Sequence, residues 1–236
     1  MDLRCATILQ KESQSIGIVC KEMDEKSWVM KYEEKLRNYE PVNDSYLVMK
    51  RFFDVVFGIV LLVPALPISL LFGILVKIET PGKMFYRQER VGLMGKPIYI
   101  TKIRSMYDGA EKKSGAIWAK KNDSRVTKVG HFIRKTRIDE LPQIINVLKG
   151  DMSFIGPRPE RPMFVERFSQ EVPGFESRLR VRPGLSGLAQ VRSGYEATPE
   201  EKLRDDLEYI DSIGLKTDIS IVAHTLCVVV TGEGSR

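Results

Sequence analysis

The strongest pattern along the chain is a block with no charge. Val55 to Val76 (VVFGIVLLVPALPISLLFGILV) runs for 22 residues without a charged side chain. A straight helix of that length, at ~1.5 Å per residue, would match a bilayer core of ~30 Å. A buried core helix is the alternative, although such helices seldom run so far uncharged. Pro64 and Pro67 lie near the middle of the block. Each lacks an N–H, so the carbonyls of Val60 and Val63 lose their helical partners. Basic residues flank both ends, with Lys50 and Arg51 before and Lys77, Lys83, Arg87 and Arg90 after. Positive charge marks the cytoplasmic side, so neither end is favoured for export. The pattern predicts a re-entrant helix–break–helix, bent at Pro64 and Pro67, with both ends on one face; a kinked spanning helix is the other option.

This block divides the chain into three expected parts. Residues 1–49 form a polar extension. Within it Trp28, Tyr32, Leu36 and Tyr39 recur at helical spacing, and a packed amphipathic helix and a loosely attached tail are equal readings. Residues 50–78 hold the membrane helix. Residues 79–236 form a small domain. There "KMFYRQERV" and "KPIYITKI" alternate as strands around Gly92–Gly95, which predicts a β-hairpin. "VTKVGHFIRKT" and "ELPQIINVLKG" read as helices, the second stopped by Gly150. "TPEEKLRDDLEYIDSI" begins with Thr198 as a cap, Pro199 at the first helical position and Glu201 closing a capping box. "TDISIVAHTLCVVVTG" reads as a last helix, either core or lying on the membrane surface. "AEKKSGAIWAKKNDSR" between these reads as a polar loop. The expected fold class is α+β, mostly helical.

Composition narrows the chemistry. The net charge is +6, which favours anionic partners. Three scattered cysteines and two histidines supply neither a zinc site nor a Ser-His-Asp triad, so carboxylates are left to carry any reaction. Asp139 and Glu140 stand side by side in "RKTRIDELPQ". Asp139 suits a helix N-cap. It also suits a nucleophile, because a helix N-terminus favours the ionised form. Two adjacent acids repel unless a cation or basic groups offset them, and Mg²⁺ takes carboxylate oxygen readily. Arg134, Arg137, Arg158 and Arg182 lie nearby in sequence, and arginine forks fit phosphate. Pro157 and Pro159 stiffen the backbone on both sides of Arg158. Carboxylates, a divalent ion and arginines together point to phosphoryl chemistry.

From about Lys50 onward the chain resembles the bacterial sugar transferases, the polyprenyl-phosphate phosphoglycosyl transferases anchored by one re-entrant helix. The resemblance rests on motifs in order: "KRFFD", "FYRQERVGLMGKP", "KIRSM", "RVTKVGHFIRKTRIDELPQIINVLKGDMSFIGPRPE", "VRPGLSGLAQV" and "LRDDLEYI". It implies transfer of a sugar 1-phosphate from a UDP-sugar to polyprenyl phosphate. By the same resemblance Asp139 attacks the β-phosphorus and Glu140 binds Mg²⁺. Lys102, Arg104, Arg134, Arg158 and Arg182 are implied as phosphate and nucleotide contacts, and Pro67 as the family's helix-breaking proline. The expected location is the bacterial inner membrane, with the catalytic domain on the cytoplasmic face among membrane lipids. Self-association is open, and no nucleic-acid partner is expected. Two rival classes remain: a non-catalytic basic protein that recruits partners to the membrane surface, and a nucleic-acid binder, which would not explain the apolar block.

Overall fold

The computed structural model describes residues 32, 34–42, 44–110, 123–194 and 197–231. Its longest element is α1, Ser45–Glu79, of 35 residues. Asp44 opens the helix, its carboxylate accepting the Tyr46 N–H at 2.7 Å. That contact satisfies one orphan donor of the first turn. At ~1.5 Å per residue α1 is about 52 Å long. Helical backbone continues through Pro64 and Pro67, so the predicted break in secondary structure is absent. Each proline removes only its own bond, and the overlapping ladder on either side carries the helix past the gap.

One narrow face of α1 is buried: Lys50, Asp54, Gly58, Ala65, Ser69, Gly73 and Val76. The rest is apolar yet exposed, with Val60, Val63 and Leu71 more than half accessible. Soluble helices show the opposite pattern, with polar side chains outside. Among the described residues α1 is the one helix long and apolar enough to cross a membrane.

Both ends of α1 are tied to the same body. At the start, Arg51 donates to the carbonyls of Val147 (2.5 Å) and Leu148 (2.7 Å). These carbonyls end α3, Ile144–Lys149, which has Gly150 as its left-handed cap. Asp54 accepts from Ser153 Oγ (3.1 Å) and the Phe154 N–H (3.0 Å). Lys50 and Tyr46 both donate to the Asp218 carboxylate. At the far end, Glu79 accepts the N–H groups of Lys128 (2.7 Å) and Val129 (3.0 Å). Those residues open α2, Lys128–Lys135, capped by Thr127. Phe72 stacks on Phe132, with ring centroids 5.6 Å apart.

Two strands form the expected hairpin, β1 (Phe85–Val91) antiparallel to β2 (Pro97–Ile103). A second, parallel pair joins β3 (Ser153–Ile155) to β4 (Gly184–Ser186). The helices α4 (Pro162–Glu171), α5 (Leu188–Arg192), α6 (Pro199–Asp211) and α7 (Leu215–Thr231) complete the body. The Thr198–Glu201 capping box forms as predicted, with Pro199 in the first turn. On α7, Asp218 and Ile221 face inward while Leu215, Ile219, Val222 and Leu226 are exposed. The packed reading holds for the described part of the extension, because Tyr32 and Leu36 are buried with Val91, Val165, Phe168, Phe175 and Leu203. Trp28, most of the 110–125 loop and Gly232 lie outside the described residues.

Candidate active site

Strand alternation starts the site. Tyr86 pairs with Lys102 across the hairpin, and Gln88 and Arg90 follow Tyr86 on the same face. All four line a cavity of about 490 Å³. The floor comes from the chain reversal after α2. Arg137 adopts a left-handed conformation (φ 59°) and leads directly into a 3-10 turn, Ile138–Gln143. This corrects the N-cap expectation for Asp139, which sits inside the turn with Arg137 at the cap position. The physical reason is local. The Glu140 N–H bonds Arg137 O at 3.1 Å, and Pro142 has no N–H to give to a wider α-helical ladder.

The opposite wall is the Gly-Pro-Arg-Pro loop, which is held at the carbonyls of Pro157, Arg158 and Pro159 and of the following Glu160. Pro157 O accepts from Gly184 N (2.9 Å) and Glu160 O from Val91 N (3.0 Å). Arg158 O accepts from Arg178 (2.9 Å) and Pro159 O from Arg90 (3.0 Å). Arg178 in turn forms a buried ion pair with Asp206 at 2.7 Å. The loop can therefore aim the Arg158 guanidinium with little freedom.

That aim falls on Glu140. Arg158 reaches Glu140 Oε1 at 2.5 Å, and Lys102 reaches the same oxygen at 2.6 Å. Burial pushes the Glu140 carboxyl up, but Arg158, Lys102 and Arg137 outweigh it and hold the group well below the usual range. Asp139 is treated differently. It is 7% exposed, and its carboxylate makes no hydrogen bond among the described residues. Burial first, and the neighbouring Glu140 charge second, push it up to about 6, against Lys102, Arg134 and Arg158. Adjacent carboxylates pushed apart in this way divide their roles. One is a clamped, permanent anion; the other is unclamped and close to neutral titration.

Nine cationic side chains line the cavity (Arg90, Lys102, Arg104, Arg125, Arg134, Arg137, Arg158, Arg161, Lys202) against four acids (Asp108, Asp139, Glu140, Glu160). Such a surplus suits a polyanion. Of the residues expected from sequence, Lys102, Arg134, Arg158, Asp139 and Glu140 converge here. Arg134 is steadied by its Nε donating to Ser105 Oγ at 2.8 Å. Arg104 lines the cavity too, but its guanidinium donates to the carbonyls of Thr80 (2.7 Å) and Pro81 at the end of α1. Its main visible work is to join α1 to β2. Arg182 lies outside the cavity, exposed, with Nε donating to Gly150 O at 3.1 Å. Sequence reasoning missed Arg90, Arg125, Arg161 and Lys202. Alternation along β1 could have found Arg90; nothing local marks Lys202.

Mg²⁺ fits the donor set in one way. Among the described residues no three His, Cys, Asp or Glu side chains gather into a metal cage. Mg²⁺, however, is commonly held by one or two carboxylates plus substrate phosphates. Glu140 Oε1 takes both close donors, leaving Oε2 with only the longer Arg158 contact at 3.5 Å.

Comparison with known proteins places this geometry. The family model described as "Bacterial sugar transferase" matches residues 45–232. A Bacillus subtilis relative, whose name proposes an undecaprenyl-phosphate N-acetylgalactosaminyl 1-phosphate transferase, is 56% identical over 151 residues. That alignment covers 62% of this chain and 84% of the relative. The UDP-N-acetylgalactosamine-undecaprenyl-phosphate N-acetylgalactosaminephosphotransferase of Aeromonas hydrophila is 44% identical, over 87% of this chain and 49% of its own length. The UDP-glucose:undecaprenyl-phosphate glucose-1-phosphate transferase of Caulobacter vibrioides is 39% identical, over 79% of this chain and 71% of its own.

Proposed function

The chain belongs to the bacterial sugar transferase family, and from that premise we propose that it moves a sugar 1-phosphate from a UDP-sugar to a polyprenyl phosphate. The products are a polyprenyl-diphosphate-linked sugar and UMP. The step would initiate assembly of a membrane-borne glycan. N-Acetylgalactosamine ranks ahead of glucose as the sugar, because the relatives named for it share 56% and 44% identity against 39% for the glucose enzyme.

One observation carries the mechanism: the carboxylate without a hydrogen bond sits beside the clamped one, in a cavity rich in guanidinium groups. Asp139 is the nucleophile. A carboxylate oxygen bonds to the β-phosphorus of the donor, and the bond from that phosphorus to the bridging oxygen breaks, releasing UMP. A phosphate oxygen of the polyprenyl phosphate then attacks the same phosphorus and frees Asp139. Covalent relay of this kind splits one transfer into two displacements and gives ping-pong kinetics. Arg134 and Lys102 would supply positive charge to the equatorial phosphoryl oxygens. Arg158 holds Glu140 and keeps it ionised. Mg²⁺, held by Glu140 Oε2, would supply charge neutralisation for the diphosphate.

The membrane helix is re-entrant in this reading. Arg51 and Asp54 at one end, and Glu79 and Phe72 at the other, engage a single charged body. A spanning α1 would drag that body into the hydrocarbon. Both ends therefore belong on one face, the cytoplasmic one, with the exposed apolar middle dipping into a leaflet around Pro64 and Pro67.

The test is to incubate the purified protein with UDP-N-acetylgalactosamine, UDP-N-acetylglucosamine or UDP-glucose and Mg²⁺, without lipid acceptor. Intact-mass and peptide mass spectrometry should find one sugar-phosphate adduct on Asp139, absent from Asp139→Asn. UMP release that requires acceptor in every case, with no adduct, would overturn the relay.

A further inference from the structure

The cavity has two unlike ends. Arg104 joins one end to the last turn of α1, through the carbonyls of Val76 and Thr80. This is the rim next to the apolar helix. The other end is walled by Arg161 at the N-cap of α4, Phe164 of α4 and Lys202 of α6. Those helices pack into a separate apolar cluster of Tyr32, Leu36, Val91, Val165, Phe168, Val172, Phe175, Leu179 and Leu203, which contains no residue of α1. Asp139 and Glu140 lie in the lining with both ends. Arg161, Lys202 (which pairs with Glu160 at 3.5 Å) and the Phe164 ring, on the side held by α4 and α6 rather than by α1, suit a water-soluble anion bearing a flat ring.

The support for that wall comes from outside the family region, which begins at residue 45. Tyr32 is 1% exposed and Leu36 1% exposed, both inside the cluster beneath α4. Phe164 packs against the same cluster and stacks on Phe168, with centroids 6.0 Å apart. Phe168 meets Phe175 edge-on at 5.3 Å. The Tyr32 hydroxyl reaches Pro162 O in the first turn of α4, but at 3.4 Å the bond is long. Packing therefore carries the contact more than the hydroxyl does. The hairpin turn is shaped for this ring as well. Gly95, at φ 81°, leaves room that any Cβ would take from Tyr32. Further along, Lys35 pairs with Glu166 of α4 at 3.7 Å, and the Val42 N–H bonds Arg180 O at 3.1 Å. Tyr32 and residues 34–42 thus run as a strap along the back of the wall.

We infer that the Arg161–Phe164–Lys202 wall receives the uridine diphosphate half of the donor, and that the Tyr32 strap is the positioning element that holds this wall in place. The inference rests on the transferase reading above and names where its two substrates divide. The lipid phosphate enters at the Arg104 rim, and the nucleotide occupies the far end. Ping-pong kinetics allow the halves to be read apart, because kcat/KM for the donor reports the first displacement and kcat/KM for the acceptor the second.

The experiment uses the full chain in lipid nanodiscs. Uridine 5′-diphosphate binding is measured by calorimetry, and both kcat/KM values are measured by UMP release. Arg161→Gln and Phe164→Leu are expected to weaken uridine diphosphate binding and donor kcat/KM by about tenfold while acceptor kcat/KM stays within about twofold. Tyr32→Ala should do the same through the strap, and Tyr32→Phe, which keeps the packing, should behave as wild type. Equal losses in donor and acceptor kcat/KM would overturn the inference, as would a Tyr32→Ala chain that only melts earlier. Loss of acceptor kcat/KM alone in Arg161→Gln would place the lipid phosphate at this wall and likewise overturn it. Wild-type protein that binds uridine diphosphate, with binding lost in Arg161→Gln, yet transfers no sugar phosphate would sink the transferase reading and leave the subsite standing.

Discussion

Asp139 is a carboxylate kept poor in partners, and that has consequences that can be measured. Its pKa is pushed from 3.8 to about 6, chiefly by burial. As the proposed nucleophile it must be ionised, so the rate of adduct formation should fall roughly tenfold per unit as pH drops below about 6. Glu140→Gln removes the neighbouring negative charge that helps raise this pKa. Although slower overall, that variant should show its acid limb at lower pH in quenched-flow measurements of UMP release without acceptor. An unmoved limb would show that another group titrates. Stability carries the opposite sign. A raised folded-state pKa means the folded chain holds the proton more tightly than the unfolded one, so stability is complete below pH ~4 and is lost as pH rises through about 6. Asp139→Asn should abolish turnover yet raise Tm at pH 7.5 by about 2–4 °C, equivalent to ~1 kcal/mol for a chain of this size. The gain should vanish near pH 4. The acidic pair was legible in sequence because two adjacent acids in a basic run need an explanation. The division of labour between them was not, because Lys102 lies 38 residues before Glu140 and Arg158 18 after. Only the fold decides which oxygen they meet.

At the scale of elements, legibility followed periodicity. The hairpin, α2 and α6 carry strong alternation or caps, and they formed where expected. The turn holding Asp139 was misread as the start of an α-helix, because a left-handed arginine is not a residue that announces itself. The β3–β4 pair was missed because three-residue strands show no period. Yet Gly184 lies in the "VRPGLSGLAQV" motif and Gly156 in the Gly-Pro-Arg-Pro loop, and the structure gives both a purpose. A Cβ on Gly184 would collide with the Gly156 backbone, and one on Gly156 would lie 2.5 Å from Arg182 O. Close approach of these two segments lets Gly184 N–H hold Pro157 O, the first link in the loop that aims Arg158. Gly184→Ala should therefore displace that loop. Activity should drop by about a hundredfold if Arg158 loses its grip on Glu140, while far-UV circular dichroism stays near wild type. Normal activity in this variant would mean that the loop is set by Arg90 and Arg178 alone. "KRFFD" resolves similarly: Lys50 pairs with Asp218, Arg51 ends α3, and Asp54 holds β3.

At the scale of the molecule, the long helix and the body beneath it make one claim about the membrane. The helix is about 52 Å long at ~1.5 Å per residue, more than the ~30 Å core of a bilayer, and its contacts with the body occur near both ends. Removing Arg51 should loosen one end. Arg51→Ala leaves the Leu148 carbonyl without its donor, while Val147 O keeps the Gly150 N–H, at a cost of ~1–3 kcal/mol for the acceptor left unpaired. The chain should stay bound to membranes, because the apolar middle of α1 is untouched, but melt several degrees earlier. The proposed one-sided topology is tested by labelling. Cysteines introduced at Val48 and at Lys83, in a chain whose own Cys5, Cys20 and Cys227 are replaced by serine, should both react with an impermeant maleimide in inside-out vesicles. Neither should react in intact cells. Labelling of one position from each side would mean that α1 crosses, and the body could then not hold both of its ends. Substituting alanine for Pro64 and Pro67 together restores the two missing N–H donors and stiffens the middle of the helix. If the prolines permit the return, this variant should shift part of the population to two-sided labelling and lose transferase activity in proportion. One-sided labelling that persists without the prolines would assign the return to the clamps at Arg51 and Glu79 instead.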